Sequence, residues 1–412
     1  MNNLMKWLEE KFTPKMQKVN HNIWIVTLKD SVNQTIPLVF LGSIFAMLTL
    51  PGSIFNLSWW PNFWTPQGWT MGMISLMISF LIPFNLMEKL KLRRSRFVAA
   101  ITGIILYAIT ITPQLMVDGV VGFGHSAFGA GGMFIAIVTG IVVGLVFRLF
   151  GRFSFFKEDS VIPDFVRQWF DQLLPMGLVT VAGWILIDLL GFDLYNTIMS
   201  VFSPLQNFAQ TFPGFMLMIW LYTFLYCMGI SSWVLTPITT PILLSAIEAN
   251  MAGDALYVNT NSFGYAYLYI GGVGCTLALA FLMVFKAKSK KLSALGKASI
   301  IPSIFNINEP VVFGCIAWNP ILMIPMNLCT IVVAFLAYLF TKIIPMGVIP
   351  NITFSIWYCP YPICTWLATG GSILSVLLVI LLFFVTLVIW YPFFSIYDKQ
   401  CVEEESREGK QE

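Results

Sequence analysis

The chain has 412 residues, of which 58% are hydrophobic, 15% aromatic and only 10% charged. A soluble globular domain carries about 25% charged residues, so these proportions exclude a water-soluble fold and predict a membrane protein. The net charge is +3, and the two histidines, His21 and His125, are too few and too far apart for a metal cluster. No metal site, cofactor or nucleic-acid partner is expected.

The chain begins with a charged amphipathic segment, residues 1–27, which predicts a cytoplasmic helix against the membrane. A spanning helix needs about 20 mostly apolar residues, and nine later segments satisfy that measure. A tenth candidate, 233–248, is apolar but short and contains Pro237 and Pro241. The nine are 31–50, 70–88, 97–114, 131–150, 174–195, 212–230, 264–286, 318–341 and 372–397.

The basic residues predict the orientation of these segments. Lys and Arg gather on the cytoplasmic side of short loops, and the clusters at 6–18, 89–96 and 148–167 lie two crossings apart. The cluster at 286–297 falls on the same side only if 233–248 also crosses. The sequence therefore predicts an all-α polytopic membrane protein, with about ten transmembrane helices and both termini in the cytoplasm.

Two regions of the second half are not simple spans. Residues 298–316 are apolar but contain an Asn-Ile-Asn-Glu-Pro motif, and 343–371 is rich in Pro and Gly. Irregular backbone at membrane depth survives only where it is buried in protein or lines a cavity. Such interruptions indicate the binding site of a transporter.

These differences predict the domain organisation. The first half is expected to be scaffold and the second half the transport domain, and the tail 402–412 is expected to be disordered because it is short and charged. The predicted parts are the N-terminus 1–27, the scaffold 28–205 with an amphipathic linker helix at 158–172, the transport domain 206–397 and a cytoplasmic tail 398–412.

The motif Asn306-Ile307-Asn308-Glu309-Pro310 is the strongest functional feature of the sequence. A carboxylate within the membrane is costly and indicates a functional site. Carboxylate and amide groups hydrogen-bond to hydroxyls, so Glu309, Asn306 and Asn308 together suit a sugar. The alternative is structural: Glu309 caps a helix or bonds to Asn306.

Segments along the whole chain resemble one family in order. The stretch from Gly296 to Pro325 is similar to the signature of the cellobiose-type IIC permeases of the bacterial sugar phosphotransferase system, within the lactose/cellobiose/diacetylchitobiose family. Further similar segments are Lys29-Asp30, Ile162 to Val166, Leu174-Pro175, Gly271-Gly272-x-Gly274-x-Thr276-Leu277, Leu367 to Gly371 and Tyr391 to Phe394.

The resemblance implies a homodimer with an N-terminal interface and a C-terminal domain that holds a disaccharide between re-entrant hairpins. It also implies a separate IIB protein, whose phosphocysteine phosphorylates the sugar. Glu309 is then the sugar-binding carboxylate and a candidate general base. Gly271, Gly272 and Thr369 join the expected substrate site through their motifs.

Two positions depart from the family pattern. Ser231 stands where the family commonly has a histidine, and Val273 stands where it commonly has a serine. The leading prediction is a permease for a disaccharide such as a cellobiose-like β-glucoside, coupled to phosphorylation, with Ser231 also in the substrate site. The alternatives that these departures leave open are an uncoupled sugar facilitator, an ion-coupled carrier, and a sensor that binds a sugar or partner.

Overall fold

The computed structural model describes residues 10–11, 14–15, 18, 21–49, 51–52, 57–111, 116–117, 120–151, 153–156, 163–230 and 232–408. Most of the predicted N-terminal amphipathic helix lies outside these residues. Two-residue strands, β1 (Met116–Val117) and β2 (Val120–Val121), pair antiparallel. The helices are α1 (Ile23–Asn33), α2 (Ile36–Leu48), α3 (Trp64–Thr70), α4 (Ile74–Lys89), α5 (Arg96–Ile111), α6 (His125–Phe128), α7 (Met133–Phe150), α8 (Asp164–Trp184), α9 (Leu194–Gln210), α10 (Phe212–Cys227), α11 (Thr236–Ala252), α12 (Asn261–Phe263), α13 (Leu277–Phe285), α14 (Lys290–Ile304), α15 (Glu309–Val311), α16 (Pro320–Tyr338), α17 (Ile363–Ala368) and α18 (Ile373–Glu408).

The described helices establish a multi-pass membrane protein. Seven helical segments within the described residues are long and apolar enough to cross a membrane. They are Ile23–Leu48, Trp64–Lys89, Arg93–Ile111, Ala130–Phe150, Asp164–Leu189, Pro320–Ile343 and Ile373–Arg407. An eighth arises if α9 and α10, which meet at 86°, count as one bent span.

Three of the ten predicted crossings differ in the structure from one long apolar helix. Segment 212–230 corresponds to α10, which has 16 residues and meets α9 at 86°. Helix α11 covers most of 233–248 but has only 17 residues, with Pro241 inside it. Segment 264–286 is interrupted, because a π-helical turn at Gly264–Leu268 is followed by the Gly-rich stretch before α13 begins at Leu277. Gly271, Gly272 and Gly274 have positive φ and interrupt the regular helix there. An average of hydropathy over the segment does not detect such an interruption.

The expected linker helix and disordered tail also differ from the structure. Residues 164–172 are not a separate linker, because they form the start of α8, which runs on to Trp184. The tail was expected to be disordered from 402, but α18 continues to Glu408. A helix of 36 residues is about 54 Å long, which exceeds the roughly 30 Å hydrocarbon layer. Carboxylates of its C-terminal turns accept hydrogen bonds from Lys288 and Ser289.

The chain divides into two compact units, each of which is assembled from separate segments. Unit 1 consists of Met1–Phe45, Phe63–Gln206 and Val234–Ser245, and unit 2 consists of Ala46–Asn62, Asn207–Trp233 and Ala246–Glu412.

Unit 1 is built around α4, α5 and α7, which approach closely through small residues. A Cβ on Gly103 of α5 would lie 2.1 Å from the carbonyl oxygen of Ser79, and one on Gly144 of α7 would lie 2.5 Å from Leu86. Small residues allow such close helix packing inside membranes. The Lys89 ammonium also lies 2.5 Å from the Asp30 carboxylate, which joins α4 to α1.

Unit 2 holds α14 between other helices through polar contacts at its first turn. The buried Asp398 carboxylate of α18 accepts hydrogen bonds from the backbone N–H groups of Lys288 (3.0 Å) and Ser289 (3.0 Å). The Glu405 carboxylate accepts from the Ser289 hydroxyl at 2.7 Å. Carboxylates stabilise a helix N-terminus because its first N–H groups lack intrahelical partners. These contacts fix the start of the helix that leads to the Asn-Ile-Asn-Glu-Pro motif.

Candidate functional site

The end of α14 sets the direction in which the polar motif leaves that helix. Asn306 has a φ of +62°, its N–H donates to the Ser303 carbonyl (3.1 Å), and the Ile307 N–H donates to the Pro302 carbonyl (2.9 Å). These two bonds form a Schellman motif, in which a left-handed residue ends the helix. Asn adopts that conformation more readily than other residues with a side chain. The rest of the motif therefore follows a sharp turn.

The Asn306 side chain connects three segments of unit 2. Its Oδ1 accepts a hydrogen bond from the Gly271 N–H at 3.0 Å. Its Nδ2 donates to the carbonyl oxygens of Trp357 (2.9 Å) and Cys359 (2.8 Å). Both ends of the amide are thus used in holding the Pro-rich stretch and the Gly-Gly turn against the end of α14.

The Asn308 side chain makes a second connection to the same turn. It is 3% exposed, and its Nδ2 donates to the Val273 carbonyl (2.8 Å) and to the Thr276 Oγ1 (3.0 Å). Its Oδ1 accepts a long hydrogen bond, 3.5 Å, from the Tyr226 hydroxyl of α10. Thr276 in turn donates to the Gly271 carbonyl at 2.7 Å. A buried amide is costly unless its bonds are made, and here they are.

The two glycines of this turn are required by its geometry. Gly271 has a φ of +78° and Gly272 a φ of +97°, values that favour glycine. A Cβ on Gly272 would lie 2.4 Å from the Asn308 Cγ, and one on Gly271 would lie 2.4 Å from the Leu277 backbone nitrogen. A side chain at Gly272 would therefore displace Asn308, and one at Gly271 would displace the start of α13.

Glu309 follows Asn308 directly and is the first residue of the short helix α15. Its side chain is exposed. Its carboxylate forms no hydrogen bond or ion pair with any residue that the structure describes. The structural pairing of Glu309 with Asn306 is not formed among the described residues. The fold instead presents a carboxylate from a turn that the two asparagines hold rigidly.

The remaining predicted site residues lie in other surroundings. The Thr369 hydroxyl is 6% exposed and donates to the Thr365 carbonyl at 2.7 Å. It sits at the end of α17, where Gly370 and Gly371 with positive φ terminate the helix. Its proton is therefore used within its own helix. Ser231 lies outside the described residues.

The structure thus brings Asn306, Asn308 and the Gly271-Gly272 turn into one hydrogen-bonded frame beside Glu309. Sequence analysis missed two of its members, Thr276 and Tyr226. Thr276 lies within the Gly-rich motif, so a sequence feature was available for it. Tyr226 lies on an ordinary apolar helix, and nothing in its local sequence marks it.

Comparisons with known proteins bear on the whole chain. A family described as "Phosphotransferase system, EIIC" matches residues 29–330. The cellobiose-specific EIIC component of Geobacillus stearothermophilus is 30% identical over 443 residues, covering 98% of this chain and 96% of that protein. The lichenan permease IIC component of Bacillus subtilis is 29% identical, with 98% and 96% covered. The lactose-specific EIICB component of Staphylococcus epidermidis is 28% identical, with 98% and 72% covered.

A solved structure agrees with these relatives. It is the crystal structure of the transporter ChbC, the IIC component from the N,N'-diacetylchitobiose-specific phosphotransferase system, with a TM-score of 0.85 and 27% identity. The match covers 97% of this chain and 99% of that one. The family resemblance predicted from the motifs is confirmed, and the chain belongs to the EIIC family of the sugar phosphotransferase system.

Proposed function

We propose that this IIC permease carries a β-linked disaccharide, such as cellobiose, across the membrane for phosphorylation by a separate phosphorylated IIB protein. The observation that carries this proposal is the exposed Glu309 carboxylate beside a frame of buried hydrogen bonds. The similar proteins named for cellobiose, lactose and diacetylchitobiose support this sugar class, because all three sugars are β-linked disaccharides.

The residues have different roles in this proposal. Glu309 accepts hydrogen bonds from sugar hydroxyls, which are strengthened by its charge, and acts as a general base toward the hydroxyl that becomes phosphorylated. Asn306 and Asn308 contribute through the frame, since their amide groups are already bonded to protein. Gly271 and Gly272 also contribute through the frame, because the Gly271 N–H is bonded to Asn306 and the Gly272 N–H to the Tyr269 carbonyl. Ser231 and Thr369 complete the substrate site, Thr369 as an acceptor because its proton is already bonded to the Thr365 carbonyl.

Replacement of the carboxylate tests the proposal. Glu309→Gln keeps the size of the side chain but removes its charge, so sugar-phosphate formation is expected to fall at least a hundredfold. Asp254→Asn is the matched control, because this exposed carboxylate lies in a loop of the same unit. The assay uses liposomes with radiolabelled cellobiose, lactose and diacetylchitobiose, with and without phosphorylated IIB. Normal product formation by Glu309→Gln would remove Glu309 from the site.

The departures from the family pattern at Ser231 and Val273 are the basis of the alternative functions, an uncoupled facilitator or a sensor. A serine does not take up a proton near neutral pH, whereas a histidine does, so coupling to phosphorylation can be weakened. Sugar exchange without sugar phosphate would indicate a facilitator, and saturable binding without exchange would indicate a sensor. Ser231→His is then expected to raise sugar-phosphate formation if Ser231 occupies the histidine's place.

The same proposal includes the arrangement in the membrane. Ten crossings with both termini in the cytoplasm, re-entrant hairpins in the second half and a homodimer all accord with the charge pattern and the family resemblance. Reporter fusions at the Gly122 loop and at the C-terminus should indicate opposite sides of the bacterial inner membrane. Chemical cross-linking in native membranes should yield a species of twice the protomer mass.

A further inference from the structure

Unit 1 contains a cavity of about 670 Å³ that the transport site does not use. It is lined by the turn between α4 and α5, by the last turn of α7 and by the first turns of α8. Four cationic side chains line it: Lys91, Arg93, Arg94 and Arg167. These belong to the basic clusters that predict the cytoplasmic side of the membrane.

Some of this charge is compensated inside the unit. Arg93 pairs with Glu88 at 2.7 Å, and Arg167 pairs with Asp164. The other carboxylate of the wall, Asp171, accepts a hydrogen bond from a backbone N–H at 2.9 Å. Two of the four cations therefore already have partners.

Lys91 and Arg94 differ from the other two cations. Both side chains are exposed, and neither forms a salt bridge with any residue that the structure describes. The turn that carries them is held to α8, because the Gln172 Nε2 donates to the Arg94 carbonyl at 2.9 Å. The cavity thus has a fixed rim with two positive charges that form no salt bridge within the described part of the chain.

The backbone at Lys91 is a second, independent observation. Lys91 has a φ of +61°, its N–H donates to the Glu88 carbonyl (3.1 Å), and the Leu92 N–H donates to the Met87 carbonyl (2.8 Å). This is a Schellman motif whose left-handed position is most often glycine. A lysine there is strained, and strain of this kind points to a use for the side chain.

The apolar part of the wall indicates what the cations bind. Phe150 and Phe153 line the cavity beside the basic residues, whereas Phe147, also in its wall, is almost fully buried. In the first two turns of α8, Phe165 is 56% exposed and Trp169 is 66% exposed. A free phosphate needs no such apolar surface, whereas the acyl chains of a lipid do. We propose that this cavity binds the phosphate headgroup of an anionic phospholipid, with phosphatidylglycerol as the chemical type.

The test measures binding of dioleoyl phosphatidylglycerol to the full chain in detergent, by native mass spectrometry and by thermal shift. Each basic residue near an anionic membrane surface contributes about 1 kcal/mol. The double variant Lys91→Ala/Arg94→Ala is therefore expected to bind about thirtyfold more weakly, at ~1.4 kcal/mol per tenfold change. The double variant Lys290→Ala/Lys291→Ala removes the same charge from another exposed segment and is expected to bind normally.

Lys91→Gly separates binding from folding. Glycine relieves the left-handed strain, so this variant is expected to melt at a higher temperature without lipid, yet to gain a smaller shift from phosphatidylglycerol than the wild type does. Equal shifts from phosphatidylglycerol and dioleoyl phosphatidylcholine would overturn the proposal. So would equal weakening in the Lys290/Lys291 control, or binding of glycerol phosphate as tight as that of the intact lipid.

Discussion

A methyl group added at Gly272 would test the frame that holds Asn308. The new Cβ would lie 2.4 Å from the Asn308 Cγ, 2.7 Å from its Nδ2 and 2.7 Å from its Oδ1. Contacts this short force the amide to move. Because Asn308 uses this amide to hold the Val273 carbonyl and the Thr276 hydroxyl, its displacement breaks those bonds and shifts the neighbouring Glu309.

The expected destabilisation has two parts. A residue with a Cβ in the left-handed region costs roughly 1–2 kcal/mol, and forcing an extra carbon into a packed site costs about 1–3 kcal/mol. Gly272→Ala should therefore lose about 2–5 kcal/mol. Gly253→Ala isolates the first part, because Gly253 has a φ of +81° but nothing within 4 Å of the added carbon.

Thermal unfolding of both variants in one detergent, at one scan rate, measures the difference. Gly272→Ala should melt several degrees below Gly253→Ala, at roughly 2–4 °C per kcal/mol, and sugar binding should be lost only in the former. Equal melting temperatures for the two variants would refute the steric argument. Retained sugar binding in a strongly destabilised Gly272→Ala would separate the frame from the site.

Three further substitutions test other contacts, and two more, Asn351→Ala and Gly177→Ala, serve as comparisons. Asn308→Ala removes two good hydrogen bonds and should cost about 2–3 kcal/mol in thermal unfolding at ~1 kcal/mol for each bond plus the unsatisfied partners, whereas the exposed Asn351→Ala should change little. Asp398→Ala leaves two backbone N–H groups at the start of α14 without an acceptor and should cost about 2–4 kcal/mol; an unchanged melting temperature would contradict this role. Gly103→Ala meets a carbonyl oxygen at 2.1 Å and should destabilise unit 1 by about 1–3 kcal/mol. Gly177→Ala, within helix α8 and facing open space, should instead stabilise by about 0.5–1 kcal/mol.

Hydropathy predicted the long spans well, because the hydropathy of a segment depends only on its own residues. The segments 131–150 and 318–341 correspond closely to α7 and to α16 with the π-helical turn that follows it. Hydropathy failed at 264–286. The mean hydropathy of this segment is apolar, but the segment contains glycines whose positive φ values break the helix. It also failed at the C-terminus, where charge alone predicted disorder. There α18 remains helical and its carboxylates bond to the start of α14.

The polar motif was recognisable without coordinates, because amides and a carboxylate in an apolar segment are costly unless they have a use. The different roles of the two asparagines and of Glu309 were not predictable from the sequence. Asn306 and Asn308 were predicted as sugar contacts, yet their amide groups bond to backbone and side-chain atoms 32 to 82 residues away in the sequence. Of the three polar residues of the motif, Glu309 is the one that is exposed and has no hydrogen bond to a described residue.

The sequence by itself determined the membrane class, the EIIC family and the location of the polar motif, because composition, hydropathy and local motifs are properties of neighbouring residues. Tertiary structure decided which polar groups are used within the protein, because a hydrogen bond depends on distance in space rather than on separation along the chain. It also decided that Lys91 and Arg94 lie on one cavity beside the end of α7, since that cavity exists only where three separate segments pack together.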